Sequence, residues 1–266
     1  MTRLAGKLGS LYVATQAVED CEDAWNEQVI GNVTASLDET GHKVGSGSAK
    51  FEVADGFVTG IIGSEAMGPL NLSAYTTIMA WVKSSVNLDA ADWVILLDDS
   101  IECGSVIVAA SIPVLTANVW KYIKIAADLS GCTAIISVGL RQDVDKGAMN
   151  FWIDQLAVAK AIAGIKQWTL DLHYDALDGS GFDSVGVREF YPSLSDWKGR
   201  FSGLKAGAPL TIGSVVGLEL QESATATQQY RGTAVITDMS VETPHDGLVT
   251  YGYSFQGVHG LETASA

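Results

Sequence analysis

Thirty-one Asp and Glu, four His and three Cys are the side chains of this 266-residue sequence that could handle protons, metals or nucleophilic attack. None of His42, His173, His245 and His259 sits in an HExxH pattern or beside Cys or Asp at a metal-ligand spacing. His173 alternates with apolar residues, so it should face solvent or a subunit partner, and His245 falls in a turn. Cys21, Cys103 and Cys132 are odd in number and form no CxxC pair, so buried, reduced thiols are expected. Asp178-Gly179-Ser180-Gly181 echoes a calcium loop, but its first ligand position would be Ala176 and its twelfth Val187, where a Glu is needed. An Asp/Gly-rich loop over 175–184 explains it better. There is no G-x-S-x-G and no P-loop. A glycosidase needs two facing carboxylates; acids abound here, but no pair stands out. Catalysis is not expected.

The elements that must position these residues read as strands. SLYVAT (10–15), SAKFEVA (48–54), FVTGIIG (57–63), TTIMAWVKSS (76–85), DWVILLDD (92–99), GSVIVAAS (104–111), VWKYIKIAADL (119–129), AIISVGLR (134–141) and NFWIDQLAVA (150–159) are short, β-like and separated by Gly, Pro, Asn or Asp. No stretch before 160 makes a convincing amphipathic helix, and the spacing suits an antiparallel sandwich. Farther on, Trp168, Leu170, Leu172 and Tyr174 alternate with polar residues. SVGVREFYPSL could hold one short helix, Val185–Tyr191, weakened by Gly186 and limited by Pro192. Tyr230–Gly257 reads as a hairpin: Val235, Met239 and Val241 share one face of its first strand, and Val249, Tyr251, Tyr253 and Phe255 one face of its second. Pro244 and Gly247 turn the chain between them, Gly247 by permitting φ > 0.

The formal charge is −15 and it is unevenly spread. Residues 18–161 hold nineteen Asp/Glu against eight Lys/Arg, whereas 162–266 hold twelve against six. Five acids fall within VEDCEDAWNE (18–27), where a new composition begins. Neither part carries a basic patch, which argues against gripping nucleic acid. A surface past which DNA slides without sticking is compatible with this charge, as is acidity that serves only solubility. No apolar run reaches the roughly 18 residues that span a membrane, so no membrane insertion is expected. MTRLAGKLGS lacks the apolar region of a signal peptide.

Five segments in order resemble the tail tube proteins of long-tailed bacteriophages: TRLAGKLGSLYVAT (2–15), GIKQWTLDLHYDALD (164–178), VREFYPSLSDWKGRFSG (187–203), PLTIGSVVGLELQ (209–221) and the hairpin. The segment between them is not part of that likeness. Its acidic start with Trp25, then GSGSAKFEV, LSAYTTIMAWVKSS, ANVWKYIKIAADL, AIISVGLR and FWIDQLAVA, looks like the jelly-roll sandwiches of carbohydrate-binding modules. With the middle removed, LYVATQ joins AIAGIKQWTLDL as an uninterrupted tube sequence would. The fold expected is therefore mainly β. A discontinuous tail-tube-type β-sandwich/barrel domain with one short helix (1–17 and 162–266) carries an inserted antiparallel jelly-roll sandwich (18–161).

The tube resemblance implies a structural virion protein, not an enzyme, made in the host cytoplasm and housed in a siphovirus-like tail. Six copies would form a ring and rings would stack into a tube. Its partners would be its own copies, a tape-measure protein and tail terminator and tip proteins, with phage DNA passing through unbound at ejection. The Thr250–Gln256 face of the hairpin would then look into the lumen. The sandwich resemblance implies external decoration that binds glycans or the host surface. It also implies a structural Ca²⁺, which is not a required cofactor, held by Glu19, Asp20 and Asp154. Ca²⁺ takes hard oxygen ligands, and an Asp flanked by Trp152, Ile153 and Leu156 needs compensation if buried. By alternation alone Asp154 would point to solvent. Trp25, Trp81, Trp93, Trp120 and Trp152 sit in or beside strand patterns, so core packing explains most of them. A stand-alone carbohydrate-binding protein with an accessory β-domain is the alternative reading, and a glycan-processing enzyme a third.

Overall fold

A computed structural model describes residues 10–28, 31–178, 190–204, 209–222, 228–258 and 260–265. The chain forms two compact units, one of 1–11 with Ile162–Ala266 and one of Tyr12–Ala161. Residues 12–17 thus cluster with the sandwich strands. Both units are built from antiparallel strands in open sheets with no closed barrel among the described residues.

The strands of the Tyr12–Ala161 unit are β1 (Ser10–Glu19), β2 (Asn26–Glu27), β3 (Val33–Asp38), β4 (Ser48–Val53), β5 (Gly60–Leu70), β6 (Thr77–Ser84), β7 (Trp93–Asp98), β8 (Val108–Ser111), β9 (Lys121–Ala126), β10 (Ile135–Gln142) and β11 (Met149–Ala161). One sheet runs β2-β5-β10-β7-β8. In the other, β11 pairs with β6, which pairs with β9; on its far side β11 meets β4 through Met149–Ile153 and β1 through Leu156–Ala161. The core between the sheets follows from alternation: Ile78, Ala80 and Val82 of β6 and Phe51 of β4 meet Trp93, Ile95 and Leu97 of β7 and Val138 and Leu140 of β10. Trp93 stacks on Phe151 with ring centroids 4.2 Å apart, and Trp25 meets Phe51 edge-on at 5.6 Å.

β7 reads as a continuous apolar run because both of its faces are covered. Val94 and Leu96, on the face away from the core, pack on Cys103 from the 3₁₀ turn Ile101–Cys103. All three cysteines are buried free thiols, as their spacing led us to expect. The two ends of this unit lie side by side, with Tyr12 opposite Ala161 in the β1–β11 ladder.

The second unit holds β12 (Ile165–Asp178), β13 (Phe190–Leu204), β14 (Val215–Gln221), β15 (Gln228–Glu242), β16 (Thr250–Gly257) and β17 (Glu262–Ser265). Its strand order is β12-β13-β16-β15-β14, with β17 alongside the start of β15. Trp197 and Phe201 of β13 pack on Tyr253 and Phe255 of β16, with centroids 5.1–6.2 Å apart. Glu219 of β14, fully buried, is neutralised by Arg231 directly opposite it on β15.

The hairpin expected over Tyr230–Gly257 is present as β15 and β16, with two corrections. A bulge between Ile236 and Asp238 reverses the parity of β15. Ile236, Met239 and Val241 therefore lie opposite Phe255, Tyr253 and Tyr251, and Val235 falls on the other face, opposite Gln256. Gly247 does not use a positive φ. It is small because Pro244 crosses it: a Cβ there would lie 2.5 Å from the Pro244 ring. Most of the helix expected at Val185–Tyr191 falls on 179–189, outside the described residues; its last two positions, Phe190 and Tyr191, are strand.

Gly199 of β13 gives a direct packing test. A Cβ there would sit 2.1 Å from the Thr169 carbonyl oxygen and 2.6 Å from the Phe255 ring. Gly199→Ala forces the β12–β13 ladder apart and is expected to destabilise this unit by about 1–3 kcal/mol, read as a lower denaturation midpoint at unchanged slope.

Candidate functional site

β11 carries Asp154 on the face away from the sandwich core, as alternation dictates. Just beyond it, Gln155 takes a positive φ of 49° and the β11–β6 register shifts. Solvent does not reach the carboxylate. The loop between β3 and β4, residues 39–47, folds over it, and Asp154 is fully buried. The Lys43 and Val44 amides donate to its Oδ2 at 2.5 and 2.9 Å. Its Oδ1 is buried with no partner.

The acidic stretch at the end of β1 adds further carboxylates. Glu19 lies opposite Leu156 of β11, and its Oε1 accepts from the Cys21 amide at 3.2 Å. Cys21 turns the chain there with φ 62°. Glu22 accepts from the Ser46 amide at 3.0 Å and from the Ser46 hydroxyl, so it clamps the same loop that covers Asp154. That loop approaches so closely that a Cβ on Gly45, whose φ is +67°, would overlap a Glu22 carboxylate oxygen. Asp20 is exposed and accepts the Glu22 amide at 3.2 Å.

The electrostatics describe carboxylates held against their burial. Burial pushes the Asp154 carboxyl up to about 6; the Lys43 and Val44 amides oppose this, Glu22 adds to it, and the His42 imidazole opposes it. Burial likewise pushes Glu19 up to about 7, with the Cys21 amide opposing and Asp20, Asp23 and Glu65 adding. The Cys21 thiol is driven up by burial and then by Glu19 and Asp154.

Of the three residues singled out in the sequence, Asp154 is buried and Glu19 half-buried, both with raised carboxyls, and Asp20 stands at the rim. Glu22 is the member that the sequence reading missed. Nothing marked it among five neighbouring acids, because its partner, Ser46, is 24 residues away. Among the described residues no three His, Cys, Asp or Glu side chains converge to hold a metal ion by themselves. Two further groups of acids are already satisfied. Asp98 is held by Ser100 and Ser105, and Asp92 by Lys146 at 2.8 Å. His173 is exposed and pairs with Asp175 at 3.1 Å, and His245 is in an open turn. His259 lies outside the described residues, as does most of the 175–184 loop.

No protein-family model matches this sequence, and no curated protein is similar to it in sequence. Among solved structures, it resembles a chain from the tail of an empty gene transfer agent particle with C6 symmetry: 16% identity and a TM-score of 0.34, over 41% of this chain and 87% of that one. A chain from the virion of the native gene transfer agent gives 16% and 0.34, over 40% and 89%. The family 30 carbohydrate-binding module of a cellulosomal cellulase from Clostridium thermocellum gives 12% and 0.34, over 54% and 95%. No helix among the described residues is long and apolar enough to cross a membrane.

Proposed function

We propose that the chain is a structural subunit of a phage-type tail tube, with the 1–11 and 162–266 unit forming the tube wall and the Tyr12–Ala161 sandwich standing outside it. The observation that carries this reading is β12. Among the described residues it pairs on one side only, with β13. Its apolar face begins under cover, with Trp168 edge-on to Tyr230 at 6.3 Å. It then runs into solvent, where Leu172 is 56% exposed and Tyr174 68%. An open strand edge carrying exposed apolar side chains is a pairing surface, and the occupant proposed is a second copy of this chain. Copies paired in this way close into rings, six by the family resemblance, and the rings stack.

The placement of the sandwich follows from size. A compact body of about 150 residues has a radius of gyration of about 15 Å, and six of them do not fit inside a channel that guides one duplex. Side-by-side ends at Tyr12 and Ala161 are what an insertion into a surface connection requires. A contractile sheath would collide with such a decoration, so the tail is expected to be sheathless. Negative-stain images of the purified chain should show rings or tubes with six peripheral knobs. Smooth tubes would refute the external sandwich, and a protein that stays monomeric at all concentrations would refute the tube.

Within the sandwich we propose a structural Ca²⁺ at the Glu19–Asp154 cluster. The fit rests on the buried, unpartnered Oδ1 of Asp154 and on carboxylates that pair with no Lys or Arg among the described residues. Glu19 and Asp154 would supply carboxylate oxygens, with backbone carbonyls of the 39–47 loop and water completing the shell. The ion would tie that loop to β1 and β11. The sandwich is also proposed to bind glycans or the host surface.

A further inference from the structure

The outer face of the β9-β6-β11-β4 layer brings together three of the eight cations of an otherwise acidic unit. Lys83 Nζ lies 3.8 Å from the centroid of the Trp152 ring and 5.1 Å from that of Trp120. Lys50 approaches Trp152 at 5.8 Å, and Lys43 approaches Trp81 at 5.3 Å. The three ammonium groups lie near enough to act on one another: burial lowers the pKa of Lys83, the Asp38 carboxylate opposes this, and Lys50 and Lys43 add to the lowering. The carboxylates close by are committed. Asp38 accepts from Trp152 Nε1 at 2.8 Å, from the Thr40 amide and hydroxyl and from the Gly41 amide, and Glu52 pairs with Lys50. Among the described residues neither Lys43 nor Lys83 forms an ion pair. Trp120, half-buried at the rim, keeps part of its indole in solvent.

A half-desolvated ammonium set between indoles, whose nearest carboxylate is already held by four other donors and forms no ion pair with it, favours an incoming anion, while the part of the Trp120 indole left in solvent accepts the apolar face of a sugar ring. We propose that Lys43, Lys50, Lys83 and Trp120, on the floor made by the buried Trp152, form a binding surface for a carboxylated polysaccharide, one whose pyranose rings bear uronic acid groups. The inference rests on the glycan reading above and names its ligand class. Charge density selects this class over nucleic acid. A tight phosphate-backbone grip takes about 6–10 cationic contacts. Three lysines on a unit with an excess of acids instead match a polymer with one charge per ring.

The test is titration calorimetry of the whole chain with oligogalacturonate, with a neutral cello-oligosaccharide of equal length and with a short single-stranded oligonucleotide. Oligogalacturonate should bind, more weakly as salt rises, and the other two should not. Lys83→Gln and, separately, Lys43→Gln should each weaken binding about tenfold, the worth of one charge-assisted hydrogen bond, whereas Lys83→Arg should retain it. Lys43 lies on a loop and makes no ion pair, so its variant reports even if Lys83→Gln fails to fold. Equal binding of the neutral saccharide would overturn the anionic assignment and leave the glycan reading standing. Absence of any saccharide binding would overturn both. Preference for the oligonucleotide would overturn the proposal in favour of phosphate.

Discussion

Replacing Leu172 and Tyr174 together by lysine is expected to abolish rings and tubes while leaving the subunit folded. Both side chains are mostly in solvent in the single subunit, so the exchange removes little intramolecular packing, and surface changes of this kind usually stay within about 0.5 kcal/mol each. In an interface the account differs. Burying two such side chains is worth about 3 kcal/mol or more, about two decades in the association constant. Lysine on a strand edge also opposes pairing, because its ammonium group must keep its water. A closed ring repeats the loss at every interface, so the effect on assembly is close to all-or-none. Sedimentation and negative-stain images of wild type and variant at one concentration are the measurement. A variant that assembles like the wild type would show that β12 is not the joining edge.

The period-two stripes are why this surface could be foreseen at all. Trp168 to Tyr174 alternate cleanly in the sequence, and β6, β7, β10 and β16 fall where their apolar patterns lie. The failures share a cause: they depend on what another part of the chain does. β3, VTASLD, is polar on its outer face and escaped notice, and β2 has two residues. β5 continues to Leu70 through Gly68 and Pro69, which read locally as a break but are tolerated because β10 pairs with it on the far side of a register shift. The bulge at Thr237 inverts the assignment of Val235, and no periodicity announces an inserted residue.

The candidate site divides in the same way. Alternation correctly turns Asp154 away from the core. Its burial was not legible, because the cover comes from Lys43 and Val44, more than a hundred residues earlier. Glu22 belongs to the site by clamping that cover. Trp152 is buried, as its strand pattern suggested, and Trp120 is half-buried against the Met79, Trp81 and Tyr122 cluster; what the pattern did not show is that Lys83 lies over both rings.

That buried cluster should make the stability of the sandwich depend on pH in a direction opposite to that of ordinary carboxylates. Folding raises Glu19 from 4.5 to about 7 and Asp154 from 3.8 to about 6. A carboxyl whose folded value is raised binds its proton more tightly in the folded chain. Its stabilisation is therefore complete below about pH 4 and is lost as pH climbs through 6 and 7. Asp38 and Asp98, which are lowered, act in the opposite sense below pH 4 and leave this window alone. In chelator the melting temperature should thus fall from pH 5 to pH 8. A cation takes the ionised form, so added Ca²⁺ should restore the loss most at the high end. At a hundred times Kd it contributes about 2.7 kcal/mol, and at about 2–4 °C per kcal/mol for a domain of this size the shift is about 5–10 °C. Asp154→Asn leaves the loop amides an acceptor but removes the charge. It should flatten much of the pH dependence and most of the response to Ca²⁺. A melting temperature at pH 8 that ignores both chelator and Ca²⁺ would dismiss the ion. One that also stays level from pH 5 to pH 8 would show that Glu19 and Asp154 are not the strained carboxylates that their burial makes them.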